Sequence, residues 1–336
     1  MGDPAGIGPE ITVKALSKPE IYSACRPLVV GDAAVMHKAV SILNIPDIKI
    51  HPIKNIEEAR FEYKTIDVYD LANVNLEELE YGQVSAMAGN AAFQYVKKVI
   101  QLALDKKVDA TITNPINKEA INLAGHHYSG HTEIYAELTG TKDYSMMLAD
   151  DDLRVVHVST HVSLREACDR VKKERVYKVI LLANEACKSI GIEKPRIAVA
   201  GLNPHAGENG LFGLEEIEEI TPAIEQAVSE GIWVEGPLPP DSVFSKARGG
   251  MYDIVVAMYH DQGHIPLKVL GFNYDRESQT WSAIKGINVT LGLPIIRSSV
   301  DHGTAFDQAG KGIANESSLV NAIEYGIKLA INRNRN

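Results

Sequence analysis

Asp253-Ile254-Val255-Val256-Ala257-Met258-Tyr259-His260 is the stretch that sets the fold class. A run this long, rich in Val and Ile and closed by turn residues, reads as a strand buried on both faces. Such strands belong in parallel sheets covered by helices. Two other stretches share the form. Arg154-Val155-Val156-His157-Val158-Ser159-Thr160 leads to His161, and Arg196-Ile197-Ala198-Val199-Ala200-Gly201-Leu202-Asn203-Pro204 leads to His205. Ligands of open α/β sheets bind beyond the carboxyl ends of the strands. Imidazoles at three such ends are therefore expected to converge, and a divalent metal ion is what three neutral imidazoles most readily share.

Outward from these runs, apolar β-rich segments alternate with helical patterns, the mark of an α/β fold with a largely parallel sheet. Strands are expected over 27–30, 49–52, 65–68, 108–113, 145–148, 153–158, 196–200 and 253–258. The clearest helix is expected over 82–106, where Val84, Met87, Ala88, Ala91, Tyr95, Val99 and Ala103 mark one apolar face. Others are expected over 173–190, stopped by Gly191, and over 317–331. Residues 236–241, Gly-Pro-Leu-Pro-Pro-Asp, read as a stiff loop, and polar 273–285 as a surface excursion. Residues 2–8 read as a tight loop entering a helix at Pro9-Glu10-Ile11, yet no strand precedes them. Either the numbered chain begins late or the sheet lacks that strand.

Composition narrows the function. At 336 residues the chain is long for one core, so two lobes are expected. A net charge of -10 argues against a nucleic-acid-binding surface, which needs a basic stripe. Cys25, Cys168 and Cys187 are odd in number and lack CxxC spacing, so no disulfide framework is expected and a reducing cytoplasm fits. No apolar stretch approaches the ~18 residues of a membrane span, and the first residues lack the form of a signal peptide.

Four groups carry candidate chemistry. His161, His205 and His260 would hold Zn²⁺, with Co²⁺ or Mn²⁺ as substitutes, although one His near a strand end is usually a hydrogen-bonded structural residue. Asp261 is either a partner for His260 or the cap of a local turn. Gly130-His131-Thr132-Glu133 opens a helix, either as an anion site with His131 as an added donor or with Thr132 as a plain N-cap. Lys268, Asn288 and Arg297 are candidates for an anionic group, Arg297 because it follows the apolar run 293–296, another strand end. The loop 301–315 is rich in small residues that admit a flat ligand, but lacks GxGxxG spacing, so binding loop and ordinary connector both stand.

At these residues the chain resembles the PdxA family, the NAD-dependent 4-hydroxythreonine-4-phosphate dehydrogenases. The matching segments are 2–10, 122–133, 159–165, 201–208, 236–241, 257–268 and 288–315, in order along nearly the whole chain. Residues 6–10 and 302–315 also look like segments of isopropylmalate and isocitrate dehydrogenases. The resemblance implies a three-layer α/β/α fold of that type, one unit over 1–336 with two lobes and a cleft. The lobes would be about 1–125 with 286–336 on the cofactor side, and 126–285 on the metal and dimer side. It implies that His161, His205 and His260 hold Zn²⁺, Mg²⁺ or Co²⁺ and that His131, Thr132, Lys268, Asn288 and Arg297 bind substrate. It also implies that His302, Gly303, Thr304, Ala305 and Asn315 bind NAD. A cytoplasmic homodimer with its active site near the subunit interface follows, so the histidines need not converge within one subunit.

Three departures bear on the substrate. Asn114-Pro115-Ile116-Asn117-Lys118 stands where the common form has Gly-Pro-(Val/Leu)-His-Lys, His264 is added after His260, and the 273–285 excursion is longer. The first two look like the branch that oxidises D-threonate or D-erythronate 4-phosphate. The implied reaction is NAD- and metal-dependent oxidation, with decarboxylation, of a 4-phosphorylated 3-hydroxy acid, placed by the family in pyridoxal phosphate biosynthesis. Lys268, Asp241 or a water on the metal are candidates to take the hydroxyl proton. A metal-dependent phosphatase or a phosphate acyltransferase on a related scaffold is the alternative.

Overall fold

The computed structural model describes residues 1–150, 153–271, 274–275, 280–281 and 286–333, and the chain in it forms two compact units. The first comprises Met1–Thr141 and Leu293–Ala330. Its early strands are β1 (Val29–Gly31), β2 (Lys49–Ile53), β3 (Thr65–Asp70) and β4 (Ala110–Thr113). Its early helices are α1 (Gly8–Leu16), α2 (Pro19–Ala24), α3 (Ala33–Leu43), α4 (Ala86–Leu104), α5 (Lys118–Leu123) and α6 (His131–Thr139). Three of the strands make a parallel sheet in the order β1-β3-β2. Val29, Ile50, Ile66 and Val68 from that sheet bury against Ile11 and Val13 of α1 and Met36 of α3. Each such side chain stabilises by about 1.5–3 kcal/mol on leaving water.

Local signals set the helix ends. The Asp32 carboxylate accepts from the N–H of Ala34 and Val35 and starts α3, which stops at Asn44 in the left-handed region at φ 51°. Ser85 caps α4 by accepting from Ala88 N, which moves its start from the expected 82 to Ala86. Gly89 lets α4 lie against α5. A Cβ there would stand 2.1 Å from the Ala120 carbonyl oxygen.

The second unit comprises Lys142–Gly292 with the segment that starts at Ile331. Its strands are β5 (Ser145–Asp150), β6 (Leu153–His157), β7 (Ile197–Ala200), β8 (Val234–Leu238), β9 (Ile254–Ala257), β10 (Tyr274–Asp275), β11 (Thr280–Trp281) and β12 (Ile287–Leu291). Its helices are α7 (Leu164–Asp169), α8 (Lys173–Ser189), α9 (Thr221–Ser229), α10 (Pro240–Arg248) and α11 (His260–Gly271). The main strands run in the order β12-β5-β6-β9-β7-β8. Leu153, Val155, Ala198, Ala200, Val255 and Ala257 pack with Val243, Phe244 and Ala247 of α10 and Leu267 of α11. The alternate residues Val156, Ile197, Val199, Ile254 and Val256 are equally buried, and α8 packs on β6, β7 and β9. Sheet and helices thus form three layers within this unit, with strands apolar on both faces.

The first unit is completed by β13 (Ile296–Val300), which pairs in parallel with β4, and by α12 (Ser317–Arg333). Gly326 brings α12 onto β4, since a Cβ there would meet Ile112 Cδ1 at 2.5 Å.

Several expectations need correction. The sheet is less parallel than the apolar runs suggest, because β5 is antiparallel to both β6 and β12. Residues 236–241 are not a connector: the first part lies in β8, and Pro240 opens α10. Arg297 does not follow a strand end but is the second residue of β13. Within the 273–285 excursion, β10 and β11 pair antiparallel, and the other residues lie outside the described ones apart from these. Among the described residues, no helix is long and apolar enough to cross a membrane.

Gly89→Val drives a side chain into the α5 backbone and is expected to lower unfolding free energy by at least about 2 kcal/mol. A urea midpoint unchanged from the parent would contradict the close approach of α4 and α5.

Candidate functional site

In the second unit, side chains tie together the carboxyl ends of β6, β7 and β9. Gln262, buried at the start of α11, accepts from Met258 N and donates to Gly201 O, both at 2.7 Å. Ser159 donates to Met258 O at 3.2 Å. His260 therefore opens α11 directly beyond β9, and its ring lies 5.7 Å from that of His161, which follows β6. Asp261 faces His260 Nδ1 at 2.7 Å. A carboxylate there holds the proton on Nδ1 and leaves Nε2 with its lone pair.

Two further imidazoles extend the pair. His264 stacks on His260 at 3.6 Å and 9°, and donates from Nδ1 to the His260 carbonyl at 2.9 Å. His157, fully buried, lies 4.7 Å from His264. Its Nδ1 donates to Met146 O at 3.3 Å, and its Nε2 has no hydrogen-bond partner. Gly263 permits this, because a Cβ there would stand 2.4 Å from that Nε2. Burial, then the neighbouring imidazoles, pushes His157 down to about 3 and His264 down to about 4. His260, His264 and Lys268 lie one turn apart on a single face of α11.

His205 sits in an unusual turn. His205, Ala206, Gly207, Glu208 and Asn209 have φ of 53°, 54°, 80°, 44° and 57°, a left-handed run that costs each non-glycine residue about 1 kcal/mol. Buried Glu216 braces the segment just before it, accepting from Leu202 N, Asn203 N and Asn203 Nδ2 at 2.7–2.9 Å. The His205 ring lies 6.3 Å from Phe212. Among the described residues no group of three or more His, Cys, Asp or Glu side chains is arranged to hold a metal ion. The structure thus brings His161 and His260 together without adding His205. That pair suits a divalent ion in chemistry but falls short of the three protein ligands of a catalytic centre. Asp241 is exposed in the first turn of α10, and Asn288 is the second residue of β12.

In the first unit, Arg297 is 3% exposed. It donates to Thr113 Oγ1 at 3.0 Å, and its guanidinium carbon lies 5.4 Å from the Tyr135 ring centroid. Burial pulls it down to about 10, which leaves it charged at neutral pH. His131 is the first residue of α6. Burial and then the Arg297 charge keep it neutral, and its buried Nε2 has no hydrogen-bond partner. Gly130 takes the cap position and no side chain caps the helix, so Thr132 does not act as N-cap.

The loop after β13 lies on α1. Ile7 N donates to Thr304 O at 3.1 Å. Glu10, 1% exposed, accepts from Gly310 N and Gly312 N, both at 2.6 Å. His302 Nδ1 donates to Gly303 O at 3.0 Å, Ala305 has φ 42°, and Asn315 Oδ1 accepts from Ser317 N at 2.8 Å. Gly303 has open space where a side chain would stand. Sequence reasoning missed Glu10, Glu216 and Gln262. Their signal was polarity inside otherwise apolar helix faces, as with Glu10 on the wholly buried turn Gly8–Val13.

The family model described as "Pyridoxal phosphate biosynthetic protein PdxA" matches residues 23–326. The D-threonate 4-phosphate dehydrogenases of Salmonella typhimurium and Cupriavidus necator are 51% and 49% identical, over 98% and 99% of this chain and 97% and 96% of theirs. The crystal structure of 4-hydroxythreonine-4-phosphate dehydrogenase from Klebsiella pneumoniae matches with a TM-score of 0.85 at 46% identity, covering 98% of each chain. The isocitrate/isopropylmalate dehydrogenase-like α/β fold expected from the sequence is the fold of that enzyme.

Because His157 falls from 6.5 to about 3 on folding, the unfolded chain binds a proton in that window that the folded chain refuses. The stability from this site is complete above pH 6.5 and is lost as the pH falls toward 3. Unfolding free energy measured in urea between about pH 7 and about pH 4 is expected to fall more steeply in the parent than in His157→Asn, by up to about 1.4 kcal/mol per pH unit. Equal slopes would contradict the neutral, buried ring.

Proposed function

The chain belongs to the PdxA family, and we propose that it oxidises D-threonate 4-phosphate with NAD and a divalent metal ion, releasing CO₂ from the 3-keto acid formed. It is a dehydrogenase that acts on 4-phosphorylated hydroxy acids. The observation that carries the finer reading is the name and 49–51% identity of relatives spanning 98–99% of the chain. When bound, the metal supplies Lewis acidity to substrate oxygens and NAD accepts the hydride.

The chain's own residues divide the remaining work. Arg297, with His131, Thr132, Lys268 and Asn288, binds the phosphate and carboxylate ends, and its fixed fork suits either anion. His302, Gly303, Thr304, Ala305 and Asn315 receive NAD. His161 and His260 would hold the metal ion through ring nitrogens, and His205 would complete the set from a second copy of the chain in a homodimer. Lys268 takes the hydroxyl proton of the substrate, in preference to Asp241, because it shares a helix face with His260 and His264. Loss of that proton from the hydroxyl oxygen and of hydride from the carbon that bears it leaves a ketone next to the carboxylate-bearing carbon, and this ketone takes up the electron pair of the C–C bond that breaks as CO₂ leaves.

NADH formation followed by absorbance is expected with D-threonate 4-phosphate and a divalent ion, to be abolished by EDTA, and to exceed that with 4-hydroxy-L-threonine 4-phosphate. Free phosphate released without NADH would overturn this function. Arg297→Lys is expected to raise KM for the phosphorylated substrate about 10- to 100-fold, the loss of one charged, bidentate contact. Sharing across two copies has its own test. His205→Ala and His260→Ala are each expected to be inactive, and their co-expression to restore about a quarter of parental activity through mixed dimers. No recovery from two folded variants would refute it.

A further inference from the structure

The loop from Thr304 to Asn315 has little regular structure of its own, yet α1 holds its backbone at several points. Glu10 and Lys14 stand one turn apart on α1. Each Glu10 carboxylate oxygen takes one N–H, from Gly310 and from Gly312, at 2.6 Å. Lys14 Nζ donates to Ala314 O at 2.6 Å. Upstream, Ile7 N holds Thr304 O at 3.1 Å. Gly310 and Gly312 have φ of 78° and 69°, the left-handed region in which nearby amides turn toward a common anion. Here that anion is Glu10. A Cβ on Gly310 would meet the Tyr81 ring at 3.0 Å, so the loop backbone also lies close against that ring.

We propose that Glu10 and Lys14 are positioning residues for the cofactor, preforming loop 304–315 to receive the adenosine end of NAD. The inference rests on reading this loop as the cofactor loop. The clamp grips only backbone atoms, one residue as acceptor and the other as donor. Neither clamp residue occupies a side chain of the loop, and Asp307, Lys311, Ile313 and Asn315 are exposed. Because the left-handed amides are already satisfied by a carboxylate, the loop receives a neutral part of the dinucleotide and leaves its phosphates to other groups. A loop set in advance is fully competent to bind, whereas a loose one binds more weakly by the fraction of time it is correctly set.

The test uses Glu10→Ala, Glu10→Gln and Lys14→Met in the full chain. It reads the NAD dissociation constant without substrate by fluorescence titration, amide hydrogen exchange over 304–315, and steady-state kinetics. Glu10→Ala is expected to speed exchange at Gly310 and Gly312 and to weaken NAD binding about tenfold or more. Its kcat at saturating NAD and its KM for the phosphorylated substrate should stay within about twofold of the parent. Glu10→Gln, which keeps one acceptor, should fall between. If Glu10→Ala does not fold, Lys14→Met gives the same readouts with a smaller change. Asn315→Ala separates the two ways to fail. Loss of NAD affinity in Asn315→Ala alone, with the clamp variants binding normally, would refute the positioning role and keep the cofactor loop. Unchanged NAD affinity in every variant would refute the cofactor loop and this inference with it.

Discussion

Beyond the ends of β6, β7 and β9, the backbone groups Gly201 O, Leu202 N, Asn203 N, Met258 N and Met258 O bond to side chains and not to a further strand. A buried backbone group left without a partner costs about as much as several surface interactions combined. Three side chains meet that need: Gln262 bonds Met258 and Gly201, Ser159 bonds Met258, and Glu216 bonds Leu202 and Asn203. The histidines stand where they do because of these bonds. His260 follows Met258 by two residues, and His205 follows Asn203 by two. A change that leaves the imidazoles intact but removes one of the three ties would move the chemistry with the backbone.

What was legible in the sequence was whatever Val and Ile run together, as in β6, β7 and β9. β8 escaped notice because Gly236 and Pro237 break its pattern. β12 and β13 escaped because Asn288, Thr290, Arg297, Ser298 and Ser299 make them polar, although most of those side chains are buried. Antiparallel pairing of β5 leaves no trace in an apolar run that is covered on both faces. Of the candidate site, the pairing of His161 with His260 followed from strand ends alone. The seat of His205 did not, since nothing in Pro204-His205-Ala206-Gly207-Glu208-Asn209 announces that ordinary residues there will take left-handed angles. The segment that leads into it is braced by Glu216, and distant carboxylates are invisible to local pattern.

Charge is distributed unequally between the groups of interest. His157, His264 and His131 are each held in the neutral form, chiefly by burial. Arg297, 3% exposed, remains a cation beside Tyr135 and Thr113. Within a chain of net charge -10, Arg297 is thus an interior positive charge set against a negative overall field.

The left-handed turn also bears on how this segment can change over generations. At Ala206, replacement by glycine would relieve about 1 kcal/mol of backbone conflict and add about as much unfolded-chain entropy, so that exchange is nearly neutral. Gly207 has no such freedom. It combines φ 80° with a Cβ position 2.7 Å from Glu216 Oε2, so any side chain there would displace the carboxylate that holds its neighbours. Two adjacent residues of the same turn thus differ in what they accept: one exchanges with glycine at little cost, and the other admits glycine alone.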